Sequence, residues 1–406
     1  MKKYPISYWC GPPGEVIANE DVIKDIADAG MTIVESRYGY HTNLKVAKLA
    51  EKYGMKVSIQ DDRIYAIRKG GDDWEKILEK YINDYKDIPN LNDYFLQDEP
   101  TETFFPGLAK IKEAMKVLDP NHKALVNMLA VPPLNGAEKY EKFIREFVEV
   151  FKPEILSFDH YNLMFKAVDR LTDKPEADIS EESRVANGWV EKVFERVDRP
   201  SYYDNLEIIR EIAAEQNIPW KAILQVVEHW DFRHVNESEM RWEVFAALAY
   251  GADEIDYFTY ATPPGRAEGW DYHHAMVHLD GTKDSRYYMV QRINKDLALL
   301  GGEVMDAESE AVFHIGFAKG DTHVKYFHQY KDFTDVWAEK IILGFFTNEK
   351  VILANKDHDN PQYIAFKCEH QPQWLNKVTG QWQDMVKADD GRYHLLLAPG
   401  DGEMIR

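Results

Sequence analysis

Between residues 35 and 260, side chains that can move protons or bind hydroxyls recur directly after short apolar runs. Glu35 and Arg37 close TIVESR, Gln60 and Asp61 close VSIQD, Asp98 and Glu99 close YFLQDE, and Asn127 lies in ALVNM. Asp159, His160 and Tyr161 follow ILSF, Glu228 and His229 follow AILQVV, and Tyr257 and Tyr260 belong to IDYFTY. Carboxylates that converge on one mouth of low dielectric cannot all ionise freely. At least one pKa must then rise toward the range in which a general acid works near neutral pH. Glu99 and Glu228 are the pair best suited to that chemistry. Side chains alternate along a strand, so Gln97 shares a face with Glu99 and Val226 with Glu228, and both acids can face inward at the top.

Such convergence needs elements that bring eight run ends to one place. The runs are 6–10, 32–37, 57–61, 94–99, 124–128, 155–160, 222–229 and 255–260, and stretches of helical period separate them. NLKVAKLAEKYG, DWEKILEKYINDY and KYEKFIREFVEVFKP each carry an apolar stripe with readable start or stop residues. Strands apolar on both faces need helices outside, and striped helices need a sheet to cover. Eight such units predict a (β/α)8 barrel over residues 1–302, ahead of a doubly wound open sheet, with chemistry at the C-terminal strand ends. The connections 162–203 and 261–284 are long enough to act as binding loops. After Gly301 and Gly302 the helical period stops, and short runs separated by turn pairs such as Asp390-Gly391 and Pro399-Gly400 predict a small antiparallel β-sandwich over 303–406. The fold class expected is therefore α/β, a TIM barrel followed by a small all-β domain.

With these residues in place the chain resembles the clan A retaining glycoside hydrolases, in which the acid/base Glu ends the fourth barrel strand and the nucleophile Glu ends the seventh. QDEP sets Glu99 at the first position and VVEHW sets Glu228 at the second. Arg37 in ESRYG resembles the strand-two arginine near the nucleophile, and Tyr161 in FDHYN the strand-six tyrosine that hydrogen-bonds it. The C-terminal segment, with VILANKD and LLLAPGDGEMIR, resembles the small β-sandwich of several such families. The resemblance implies cleavage of a β-linked neutral glycan by double displacement, without cofactor or catalytic metal. Gln60, Asp61, Asp98, Asn127 and His160 would then bind sugar with Arg37 and Tyr161, while Trp230, Tyr260 and Trp270 would stack on it. One departure stands out: Asp98 occupies the place of the clan's usual Asn, and its charge should raise the pKa of Glu99 or of a neighbour. The acidic mouth disfavours uronate or sulfate unless a lysine or arginine answers it.

Two other classes compete. A metal-dependent sugar isomerase or epimerase could draw an oxygen-rich site from Glu35, Asp61, Glu99, Asp159, His160 and Glu228; a β-sandwich is superfluous to it. A barrel that binds glycans without cleaving them would have no use for facing acids. Composition narrows the field further. Among 406 residues, Lys and Arg total 49 against 70 Asp and Glu, a net charge of −21 that argues against nucleic acid and anionic lipid as partners and leaves an oligo- or polysaccharide. Cys10 and Cys368 have no metal-type spacing. No run of 18 apolar residues occurs, so no membrane partner is expected and the chain should be soluble. MKKYPISYWCGPPG has a basic tip but no apolar run of 7–15 residues, so localisation stays open, and a secreted or periplasmic protein would have its signal peptide outside this sequence.

Overall fold

The computed structural model describes residues 3–169, 192–264, 271–316 and 320–406. In chain order the first strands are β1 (Ile6–Trp9), β2 (Ile33–Arg37), β3 (Lys56–Gln60), β4 (Leu91–Asp98), β5 (Lys123–Met128) and β6 (Leu156–Asp159). They are followed by β7 (Leu163–Asp169), β8 (Lys192–Asp198), β9 (Trp220–Gln225), β10 (Glu228–His229), β11 (Glu254–Phe258) and β12 (Tyr272–His273). Eight of these form one parallel sheet in the order β1-β11-β9-β6-β5-β4-β3-β2. The two end strands meet as well: Thr32 N donates to Ile6 O at 2.8 Å, and Ile6 N donates to the Thr32 hydroxyl at 2.8 Å. Closed in this way, the sheet is the expected (β/α)8 barrel.

The barrel's outward residues, among them Ile6, Val34, Val57 and Ile59, pack under the helices in one apolar cluster. Its inside is different. Trp9, Phe95, Leu125, Ile155 and Ile223 form a separate plug. One layer nearer the N-terminal strand ends, Lys221 Nζ lies 3.1 Å from Glu254 and 3.0 Å from Asp256. The predicted helices are present as Tyr40–Lys52, Trp74–Tyr85 and Ala137–Phe151.

Two local expectations change. The seventh apolar run ends its ladder at Gln225, not at His229, because Val226 N and Val227 N both turn to Phe258 O (2.7 and 3.0 Å). Glu228 and His229 then pair antiparallel with His273 and Tyr272. The connection after β6 is not a plain loop: β7 and β8 pair antiparallel, and Arg199 N donates to Asn162 O at 2.7 Å at the base of that hairpin.

Beyond the helix Ser285–Val304, two antiparallel sheets of six and three strands enclose a second apolar core around Phe333, Leu343, Phe345, Ile364 and Phe366. No helix among the described residues is long and apolar enough to cross a membrane.

Candidate active site

A cavity of about 400 Å³ opens at the C-terminal ends of the barrel strands. Its polar lining comes from Asp98, Glu99, Asn127, Asp159 and Arg199, and its aromatic lining from Trp9, Tyr161, Trp230, Phe232, Phe258 and Tyr272. β4 delivers Asp98 as its last residue. Glu99, at φ +41°, follows with its N–H on Asn127 O at 2.9 Å. That left-handed turn breaks the strand's alternation, so two successive carboxylates can serve one cavity.

Asn127 on β5 joins the acids of the neighbouring strands. Its Nδ2 donates to Asp98 Oδ1 at 3.1 Å and to Asp159 Oδ1 at 3.0 Å, while Ser157 Oγ donates to its Oδ1 at 2.8 Å. Burial, then the charges of Glu99 and Asp98, push the Asp159 carboxyl well above the usual carboxylate range. The charge expected to act from Asp98 thus acts on Asp159. A carboxyl whose pKa is raised by neighbouring acids is suited to proton transfer at a leaving oxygen.

Of the residues singled out from sequence, Asp98, Glu99, Asn127, Tyr161 and Trp230 line this cavity. Tyr161 stacks on Phe258 with ring centroids 4.9 Å apart, and Trp230 stands 57% exposed at φ +51°. The others lie elsewhere. Arg37 is held between Trp9 and Phe95, 3.6 and 3.9 Å from their centroids, and its Nη2 donates to Glu35 at 2.8 Å. Gln60 is buried, and its carbonyl accepts from Asn43. Asp61 accepts from Arg63 Nη2 at 2.6 Å and from the Tyr85 hydroxyl at 2.8 Å. His160 is fully buried on Asn205, its pKa driven down to about 3 by burial, so it stays neutral. Tyr260 packs on Tyr8 in the core. Trp270 lies outside the described residues.

Glu228 does not line the cavity. The two-residue strand β10 turns His229 toward it and sends Glu228 to the other face, where its Oε2 lies 3.6 Å from His234 Nδ1. Arg286, buried, hydrogen-bonds the same His234 nitrogen at 2.5 Å and is attracted by Glu228.

Asp159 stood among the strand-end acids but not among the chosen site residues, and Arg199, Phe232 and Tyr272 carried no signal of their own. KVFERVD does not alternate, its apolar residues Val193, Phe194 and Val197 being spaced at helical period, so the sequence does not announce the strand that precedes Arg199.

No family model matches the chain, and no curated protein matches its sequence. Solved structures do match, each over 99% of it. A catalytic mutant of a family 42 β-galactosidase from G. stearothermophilus gives a TM-score of 0.59 at 8% identity over 98% of that chain. A further glycoside hydrolase gives 0.56 at 11% over 91%. A family 39 glycoside hydrolase from the gut symbiont Bacteroides cellulosilyticus WH2 gives 0.54 at 10% over 80%. At such identities the likeness is one of architecture: the chain has, along its whole length, the fold of the clan A glycoside hydrolases that its sequence resembles.

Proposed function

We propose that the chain is a glycoside hydrolase that cleaves a β-linked glycan in the barrel-mouth cavity. The observation that carries this reading is the linked set Asp98, Glu99 and Asp159, in which burial and the neighbouring acids raise the Asp159 carboxyl above the usual carboxylate range. In the proposed reaction one carboxyl of the Glu99–Asp159 pair gives its proton to the glycosidic oxygen as the bond to the anomeric carbon breaks. The other accepts a proton from the water whose oxygen forms the new bond there. Tyr161, Trp230 and Tyr272 supply flat apolar faces for sugar rings. The β-linkage follows from the clan resemblance and agrees with the family 42 neighbour's being a β-galactosidase.

A second reading keeps Glu228 as nucleophile of a retaining displacement. It is favoured by His229 and Trp230, the next two residues, which do reach the cavity. A retaining pair stands about 5–5.5 Å apart and an inverting pair about 6.5–9.5 Å, and the two give opposite first-formed anomers.

The test is hydrolysis of a panel of aryl β-glycosides and β-linked oligosaccharides, with the first anomer followed by proton NMR, for the native protein, Glu99→Gln, Asp159→Asn and Glu228→Gln. Loss of turnover in the first two with Glu228→Gln active supports the Glu99–Asp159 pair. Retention with loss in Glu228→Gln returns the nucleophile to Glu228. Turnover that survives in Glu99→Gln and Asp159→Asn overturns the assignment of the pair.

A further inference from the structure

Arg199 is a cation built into an acidic cavity. It follows β8, its backbone N–H donates to the carbonyl of Asn162, three residues past the end of β6, and it lines the same cavity as Asp159. The hairpin that carries it is tied down by Arg233, itself buried, which donates to Met164 O at 3.2 Å and Val197 O at 2.8 Å and pairs with Glu239 at 2.7 Å. The Arg199 guanidinium lies 5.9 Å from the Phe232 ring centroid. Among the described residues it has no carboxylate within 4.0 Å. Asp159 attracts it from farther off, and burial pulls its pKa down. Asp98, Glu99 and Asp159 line the same cavity.

A half-buried guanidinium with no ion-pair partner among the described residues has lost hydration that those residues do not restore, and its planar fork matches a carboxylate or sulfate with two parallel hydrogen bonds. The acidic mouth alone argues for a neutral sugar; Arg199 reverses that argument at one point of the lining. We propose that Arg199 binds an anionic substituent of the substrate, so that the sugar held in this cavity carries a carboxylate or a sulfate. This rests on the glycoside hydrolase reading and narrows its substrate class. The anion would sit at Arg199 while the glycosidic oxygen meets the carboxyls of Asp98, Glu99 and Asp159.

The experiment compares matched aryl β-glycosides that differ only in the substituent: hexoside, hexuronide and sulfated hexoside, for the native protein, Arg199→Gln and Arg199→Lys. The expected result is a kcat/KM for one anionic series at least tenfold above the neutral one. That ratio should collapse by tenfold or more in Arg199→Gln, through KM, and recover in part in Arg199→Lys. Preference for the uronide names a carboxylate, and preference for the sulfated sugar names a sulfate. A native preference for the neutral series, or an equal fall on all series in Arg199→Gln, overturns the proposal. If the native protein hydrolyses nothing, the hydrolase reading fails, and calorimetric titration with neutral, uronate-containing and sulfated oligosaccharides still decides the inference. Anion-selective binding lost in Arg199→Gln upholds it, and binding indifferent to charge or to Arg199 overturns it.

Discussion

At the scale of single residues, charge does the work, and its consequences depend on pH. If Asp159 is the proton donor, kcat/KM falls as pH rises through its raised pKa. Asp98→Asn removes one of the two charges that raise that pKa, so the alkaline limb of the profile should move to lower pH, as a pH-rate profile of the variant would show. Glu99→Gln should lower kcat by about 100-fold or more, the usual contribution of a positioned acid or base. Glu35 poses the complementary case inside the barrel. Burial pushes its carboxyl up to about 8, outweighing Arg37, with Asp256 adding to the rise. Between its ordinary value of 4.5 and about 8 the folded chain holds a proton that the unfolded chain has lost, so this group makes stability fall as pH rises across that window. Glu35→Gln takes that contribution away. Between pH 5 and pH 8 its Tm should change less than that of the native protein; an equal change would show that Glu35 titrates normally.

At the scale of elements, sequence and structure agree where periodicity decides and part where a single turn decides. Each of the eight apolar runs meets a barrel strand, because an alternating or wholly apolar run has few other ways to be buried. The fold class could therefore be read directly, and so could Asp98, Glu99 and Asn127, which sit at or just past ladder ends. The reading of Glu228 relied on alternation continuing through QVVEH. Val226 and Val227 share one acceptor, Phe258 O, the ladder stops, and counting by twos across that break no longer tells inside from outside. Arg199 was invisible for a different reason, since its place is set by a hairpin folding back on Asn162 and not by its own surroundings in sequence. The element that holds the hairpin gives a test. Arg233→Ala would leave the buried Glu239 with Arg196 as its remaining arginine partner and take one donor from each of the carbonyls of Met164 and Val197. Because Arg196 stays on Glu239, the loss should fall short of the about 3–5 kcal/mol of a buried charge left uncompensated, at about 1–3 kcal/mol in urea unfolding, and the hairpin strands should become more open to proteolysis. A change below about 1 kcal/mol would mean that the hairpin is held by other contacts.

For the whole molecule, the helix Glu237–Ala249 decides how the two halves fit. It starts from a reciprocal capping box between Asn236 and Glu239, and it is buried nearly all round, with Met240, Trp242, Val244, Phe245 and the alanines covered and Glu239 and Glu243 buried among them. A helix of that kind needs cover on both sides. The barrel covers one side, and the strands Ile341–Phe346, Val351–Asn355 and Gly402–Ile405 of the C-terminal sheet cover the other. The approach is close enough to require glycine: a Cβ on Gly344 would stand 2.0 Å from Ala249 O. The division at residues 302 and 303 that the sequence suggests is therefore a change of texture across which the halves share a buried face. Gly344→Ala should force the sheet off the helix and destabilise the whole chain by about 1–3 kcal/mol or more, the scale of overpacking. Gly107 offers the contrast, since it lies inside the helix Phe105–Leu118 and an added Cβ there meets nothing within 4 Å. Gly107→Ala should stabilise by about 0.5–1 kcal/mol. Thermal unfolding of both variants checks the argument: a Gly344→Ala protein as stable as the native one would mean that the barrel and the C-terminal sheets are not packed through this helix.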